Sequence, residues 1–278
     1  MTHQARKRFG QNFLHDAAII ARIVRSVAPR RGDNLVEIGP GQGAITLELL
    51  RLGGALTAVE LDRDLIEPLR QRSREQGELT LHNADALRFD FGQLATPERP
   101  LRIIGNLPYN ISTPLLFHLL SSLDQIRDLH VMLQKEVVER MAAPSGSRTY
   151  GRLSVMIQAH CQVEPLFTIA ASAFHPIPKV DSAFVRLTPR AHRPPQVTTP
   201  LFAKLVASAF SQRRKTLRNA LKGICDERTF QAVAIVPTLR PEQLSVADFI
   251  ALTAQLQKDL EQTAPDAAHT PPPPAPHA

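Results

Sequence analysis

Gly39, Gly41 and Gly43 fall within five residues, in EIGPGQGAIT (37–46), where a short apolar run gives way to a run of helical period. Glycines there let the backbone turn sharply and come close to a ligand. The spacing is G-x-G-x-G, not the G-x-G-x-x-G of a dinucleotide fold, and Glu37 and Pro40 crowd the loop. Both features suit a ligand without phosphates. Glu60 ends the next apolar run, LTAVELD (56–62), about twenty residues after the glycines, where a carboxylate can accept from both ribose hydroxyls. Asp85, in HNADAL (82–87), is a good acceptor for the exocyclic amine of adenine. Together the three stretches describe an adenosine cleft. The plainer alternative is a tight strand-to-helix turn flanked by solvated acids.

An adenosine site without a phosphate site fits S-adenosylmethionine. The fourth stretch, IIGNLPYNIS (103–112), suggests what such a methyl donor would serve. A chain that only needed to turn would use Asn-Gly or Asp-Gly. Here the turn holds an amide, a carbonyl at a fixed φ and an aromatic ring. If the methyl acceptor is the amine of an adenine, two oxygens accepting its N–H groups would hold it and stabilise the charge that grows on it. Asn106 offers a side-chain oxygen, Pro108 a backbone one, and Tyr109 a surface on which a flipped base can stack. The methylated ammonium is strongly acidic, so no strong general base is needed. The alternative is a strand ending in a buried Asn, with Tyr109 as rim packing.

These residues need strand ends to carry them, and the pattern supplies them. Strand-like runs at 35–38, 56–61, 79–82, 101–105 and 129–133 alternate with helix-like runs at 44–52, 63–74, 114–123 and 136–143. Such alternation means βαβ units and a mostly parallel sheet. Before it, Asp16 reads as the N-cap of a helix with Ile19, Ile20, Ile23, Val24 and Val27 on one face. After it come a helix-like run at 153–160 and strand-like runs at 163–168 and 183–187. Beyond Pro189 the composition becomes basic and helical. From about Thr263 it becomes a Pro-rich tail, for which disorder is expected. The expected domains are therefore 1–189, 190–262 and the tail 263–278.

The chain has 278 residues, 43% of them hydrophobic, and a formal charge of +7. That charge points to an anionic partner, nucleic acid before membrane. Cys161 and Cys225 lack metal-ligand spacing and read as reduced thiols, and no metal is expected. No apolar run is long enough to cross a bilayer, and the N-terminus has no apolar leader segment, so a cytoplasmic protein is expected.

Read as a whole, the chain resembles the ribosomal RNA adenine dimethyltransferases, closely those acting on two adjacent adenines near the 3′ end of 16S ribosomal RNA. The resemblance spans about residues 5–260. It rests on KRFGQNFL (7–14), EIGPGQGAIT, VELD (59–62), NADAL (83–87), GNLPYNIS (105–112), YGRLSV (150–155), FHPIPKVDSAFVRL (174–187), FSQRRKTLRNAL (210–221) and RPEQLSVADF (240–249), in that order. It implies an α/β, Rossmann-like class I methyltransferase domain with a small all-helical C-terminal domain. S-adenosylmethionine would be held by Asn12, Leu14, Gly39, Glu60 and Asp85, with Asn106 beside the methyl group. Phe174 would face Tyr109 across the target adenine, although by pattern alone it reads equally as core packing. The substrate implied is 16S ribosomal RNA in a late small-subunit assembly intermediate.

The stretch 210–222 reads as a helix with Phe210, Leu217 and Leu221 inward and Arg213, Arg214, Lys215, Arg218 and Lys222 outward. These five are the RNA candidates, against the alternative of an ordinary solvated face. Arg6, Lys7 and Arg8 form a second basic group, Arg148 and Arg152 a third. His82, His118 and His130 read as packing residues. A monomer is expected. Three rivals are weighed: a large-subunit dimethyltransferase conferring macrolide resistance, disfavoured by YGRLSV and RPEQLSVADF; a non-enzymatic assembly factor, disfavoured by intact Glu60, Asp85 and Asn106; and an NAD enzyme, disfavoured by the glycine spacing.

Overall fold

In the computed structural model, residues 11–212 and 214–263 are described. Packing divides the described residues into two compact units, one falling within 1–143 and 157–192 and one within 144–156 and 193–278. The segment 144–156 thus groups with the later helices, although it lies inside the stretch that the sequence reads as one continuous domain.

The first unit runs β1 (Phe13–Leu14), α1 (Ala17–Val27), β2 (Asn34–Ile38), α2 (Thr46–Gly53), β3 (Ala55–Glu60), α3 (Arg63–Ser73), β4 (Glu78–Asn83), β5 (Leu101–Asn106), α4 (Ser112–Leu120), β6 (Ile126–Gln134) and α5 (Lys135–Ala142). Helix α6 (Arg152–His160) leads into β7 (Cys161–Ile169), β8 (Phe174–His175) and β9 (Ser182–Pro189). Seven strands form one sheet in the order β4-β3-β2-β5-β6-β9-β7. Strands β2 to β6 pair in parallel, and β9 enters antiparallel between β6 and β7. From β2 the chain moves outward through β3 to β4, then returns to the other side of β2 as β5. The order therefore reverses between β2 and β5, which is where a doubly wound sheet opens a crevice at its carboxyl ends.

Local chemistry explains the elements. Asp16 accepts from the backbone of Ala18 and Ile19, capping α1 as expected. Ile23, Val24 and Val27 then bury against Leu35, Leu49, Leu50 and Phe184 in one core cluster. Gly105 is required by close approach, since a Cβ there would lie 2.7 Å from the Ile38 carbonyl of the neighbouring strand. Two elements escape sequence patterning. Strands β1 and β8 are two residues each and pair antiparallel, Phe13 opposite His175 and Leu14 opposite Phe174. Two residues are too few to show a period.

The second unit holds α7 (Pro200–Ala209), α8 (Leu217–Ala220), α9 (Glu227–Ala232) and α10 (Val246–Thr263). The continuous helix expected over 210–222 is corrected: α7 ends at Ala209 and α8 is a single turn, with turns and bends between. The inward anchors hold nonetheless, because Leu217 and Leu221 are fully buried and Phe210 packs at a tilt against Phe249 and edge-on against Tyr150. Among the described residues no helix is long and apolar enough to cross a membrane. Both cysteines are buried, and neither forms a disulfide.

Candidate active site

The parallel strands deliver their carboxyl ends to one edge of the first unit, around a cleft of about 150 Å³. Its walls are residues 11–14, the glycine loop, the ends of β3 and β4, and the turn after β5. Gly39, Gly41 and Gly43 all take positive φ, at 70°, 56° and 82°, a region that other residues rarely enter. Gly41 has a second reason: a Cβ would sit 3.1 Å from the ring of Phe13.

Glu60 is buried and holds the loop. Its Oε2 accepts from the Gly41 amide at 3.0 Å and its Oε1 from the Asp62 amide at 2.8 Å. Burial pushes its carboxyl above the usual range, opposed by those amides. Asp85 uses Oδ1 to accept from the Leu87 amide at 2.9 Å, which leaves Oδ2 without a partner among the described residues. Glu37, which the sequence suggested only as crowding, is a buried carboxyl in the cleft wall. Burial pushes it up to about 7; the Thr46 hydroxyl, donating at 2.6 Å, opposes this and the charge of Glu60 adds to it.

Residues 11–15 cross the cleft and are pinned along their length. Gln11 donates to Asp62 at 3.0 Å, Phe13 covers Gly41, Leu14 is buried, and the His15 amide donates to the Ala173 carbonyl at 3.0 Å. The sequence shows only a basic turn here; the resemblance alone pointed to Asn12 and Leu14, and both line the cleft. Asn12 contributes its carbonyl to the Nδ2 of Asn106 at 2.9 Å.

In the turn after β5, Leu107 is buried and donates its amide to the Met132 carbonyl, which fixes the residues on either side. The Pro108 carbonyl already accepts from the Ile111 amide at 3.1 Å, so only its second lone pair remains for a substrate. The Tyr109 hydroxyl meets the Oγ of the fully buried Ser182 at 2.6 Å. Ser182 lies in the stretch 174–187, but its pairing with Tyr109, 73 positions away, left no mark in the sequence.

Phe174 is the remaining candidate for the site. Its side chain is 0% exposed, belongs to the core cluster with Leu14 and Ile23, and does not line the cleft. Its partner in the pairing of β8 with β1 is Leu14, which does line the cleft. Of the RNA candidates, Arg213 lies outside the described residues, as do Arg6, Lys7 and Arg8. Arg214, Lys215, Arg218 and Lys222 are exposed in the second unit, with Arg218 paired to Glu227 at 3.1 Å. His82 stacks on Phe89, His118 bonds the Phe89 carbonyl, and His130 is buried against Phe184, all as packing residues.

The donor set suits a nucleoside without phosphates. Among the described residues, the charged side chains lining the cleft are Glu37, Glu60 and Asp85, with no Lys or Arg beside them. Among the described residues no group of three His, Cys, Asp or Glu is arranged to hold a metal ion.

The chain is similar to known proteins over most of its length. The ribosomal RNA adenine dimethylase family matches over residues 2–258. Ribosomal RNA small subunit methyltransferase A of Pseudomonas putida is 55% identical over 255 residues, covering 91% of this chain and 96% of the relative. Its counterpart in Saccharophagus degradans is 57% identical over 255 residues, 91% of this chain and 95% of the relative. Among solved structures, a dimethyladenosine transferase from Plasmodium falciparum superposes with a TM-score of 0.76 at 25% identity, covering 88% of this chain and 98% of that one. The 23S rRNA methyltransferase ErmE shares the fold, with a TM-score of 0.68 at 24% identity over 88% of this chain and all of that one (100%). The fold is that of the class I S-adenosylmethionine-dependent methyltransferases, and with its phosphate-free nucleoside cleft and its Asn-Leu-Pro-Tyr turn the chain belongs to the ribosomal RNA adenine dimethylase family.

Proposed function

We propose that the protein places two methyl groups on N6 of each of two adjacent adenosines near the 3′ end of 16S ribosomal RNA. It does so in the cytoplasm, as a monomer, on a small-subunit assembly intermediate. S-adenosylmethionine supplies an already activated methyl group on a cationic sulfur. Glu60 accepts from its ribose hydroxyls, Asp85 from its adenine amine through Oδ2, and Gly39, Asn12 and Leu14 line the rest of its path.

The observation that carries the reading is the orientation of Asn106. Because the Asn12 carbonyl can only accept, Nδ2 of Asn106 must face it, and Oδ1 is left as an acceptor at the cleft wall. Oδ1 and the remaining lone pair of the Pro108 carbonyl then take the two N–H groups of the target amine. They steady it in line with the methyl group and stabilise the positive charge that forms. Tyr109 stacks on the flipped base. Arg214, Lys215 and Lys222 contact RNA phosphates; Arg218, already paired with Glu227, contributes less.

The test is mass spectrometry of ribosomal RNA nucleosides from cells lacking the protein. N6,N6-dimethyladenosine should vanish from small-subunit RNA and return with the wild-type protein but not with Asn106→Ala. Loss from large-subunit RNA instead would overturn the proposed substrate. Equal methylation of free 16S RNA, incomplete subunits and finished subunits would overturn the assembly-intermediate claim.

A further inference from the structure

Six large apolar side chains stand strongly exposed among the described residues, and two of them, Ile177 at 68% and Val180 at 46%, share the loop between β8 and β9. Water is a poor environment for two such groups three positions apart, so the loop invites a partner. Both of its ends are tied to the cleft. On one side His175 pairs with Phe13, whose ring covers Gly41 of the glycine loop. On the other, Ser182 bonds the Tyr109 hydroxyl. The approach to Ser182 is pinned as well: the Asp181 carbonyl accepts from the Lys135 amide at 3.0 Å, and its Oδ1 from the Ala171 amide at 3.0 Å. Val180 is two residues from Ser182 and Ile177 two from His175, so each lies within about 7 Å of chain of a residue bonded to the cleft wall. Lys179 stands exposed between them.

We propose that Ile177 and Val180 form an apolar wedge that enters the RNA stack where the target adenosine has left it. The inference rests on the reading that the target base enters beside Tyr109. A base cannot reach the cleft while stacked, and the vacated step exposes two apolar base faces. Aliphatic side chains inserted at such a step keep the neighbours apart and hold the extruded state open. Lys179 is placed to meet a flanking phosphate. RNA is favoured as the occupant because the loop adjoins the cleft that must admit an RNA base and carries a cation between its apolar groups.

The experiment uses the full-length double variant Ile177→Ser/Val180→Ser. Single-turnover methylation of unmethylated small subunits, at saturating enzyme and cofactor, should fall at least tenfold. Affinity for S-adenosylmethionine should stay within twofold, which also reports an intact fold. Ile177→Leu/Val180→Ile should recover most of the rate. With 2-aminopurine in place of the neighbour of the target adenosine, wild-type protein should brighten the probe and the serine variant should not. An unchanged rate, or an unchanged probe signal with only weaker particle binding, overturns the wedge. If wild-type protein leaves the RNA unmethylated, it is the proposed function that fails, not the wedge alone.

Discussion

The side-chain amide of Asn106 donates to the backbone carbonyl of Asn12 at 2.9 Å, joining the turn after β5 to the segment that crosses the cleft 94 residues earlier. One bond thereby sets the orientation of the oxygen proposed to hold the target amine and ties down a wall of the cleft. Asn106→Ala should lower the single-turnover methylation rate about a hundred- to a thousandfold, the usual effect of removing one preorganised group aimed at developing charge. It should also weaken S-adenosylmethionine binding by about 1 kcal/mol, because residues 11–14 lose a tie. Rapid-quench kinetics and calorimetric titration separate the two effects, and a wild-type rate would remove Asn106 Oδ1 from the reaction.

The hydrogen bond between Tyr109 and Ser182 gives the ring a second anchor. Burial pushes the Tyr109 hydroxyl above its ordinary range, the Ser182 bond opposes this and the charge of Asp181 adds to it, so the group stays neutral at physiological pH. Tyr109→Phe keeps the stacking surface and loses about 1 kcal/mol of positioning, a rate loss of several-fold. Tyr109→Ala loses the surface as well, worth about 1–3 kcal/mol of base stacking. Ser182→Ala should match Tyr109→Phe, and the two combined should cost no more than either alone. Additive losses in that cycle would show that the hydroxyl acts independently of Ser182.

Glu37 makes the fold pH-sensitive near neutrality. Its folded pKa of about 7 lies above the ordinary 4.5, so the folded state holds a proton that the unfolded chain releases. Its contribution is fully present below pH 4.5 and is lost as pH rises through 7, at most about 3 kcal/mol. Glu37→Gln keeps an acceptor for the Thr46 hydroxyl and removes the titration. Denaturant unfolding between pH 5 and pH 8, about the window that the shift spans, should show stability falling in the wild type and falling less steeply in the variant, where only Glu60 remains raised among the cleft carboxyls. Parallel slopes would place the titration elsewhere.

At the opposite end of the strands, Arg102 is buried between two carboxylates. It donates to Asp33 at 2.7 Å and to Asp128 at 3.1 Å, and it caps α1 through the Val27 carbonyl at 2.7 Å. Removing it leaves Asp33 to Arg127 and the Arg30 amide and Asp128 to His130, so Arg102→Ala should destabilise by about 3 kcal/mol. Burial works against the Asp128 carboxylate, yet His130 and Arg102 hold its pKa below the usual 3.8. Its contribution is therefore present above that value and lost as pH falls through the lower folded one. The midpoint of acid unfolding should move upward in Arg102→Ala; an unmoved midpoint would assign the acid transition to other carboxylates.

For RNA, replacing Arg214, Lys215 and Lys222 together by Gln should flatten the log–log salt dependence of binding by about two to three units. Replacing Arg218 alone should change it less, since Glu227 already neutralises part of its charge. Filter binding across a salt series decides it, and an unchanged slope would return these residues to the solvated surface.

Much of this was legible in the chain alone. Short apolar runs separated by helical periods specified the parallel strands, because each must be buried on both faces while each helix covers one. The glycine spacing, with Glu60 and Asp85 at successive strand ends, specified the cleft, because side chains that follow parallel strands emerge on one edge. Asp16 announced its cap because that bond is made within three residues. Contacts between distant positions were not legible. The Asn12–Asn106 and Tyr109–Ser182 bonds join segments 94 and 73 residues apart, and no local propensity encodes them. The shift of Glu37 depends on how completely the sheet and α2 exclude water. Phe174 carries the same letter whether it faces a base or the core, so its full burial beside Leu14 and Ile23 could be learned only from the tertiary structure. The break after Ala209 escaped for the related reason that the apolar period of Phe210, Leu217 and Leu221 survives an interrupted helix, since burial constrains where side chains end and not the path of the backbone between them.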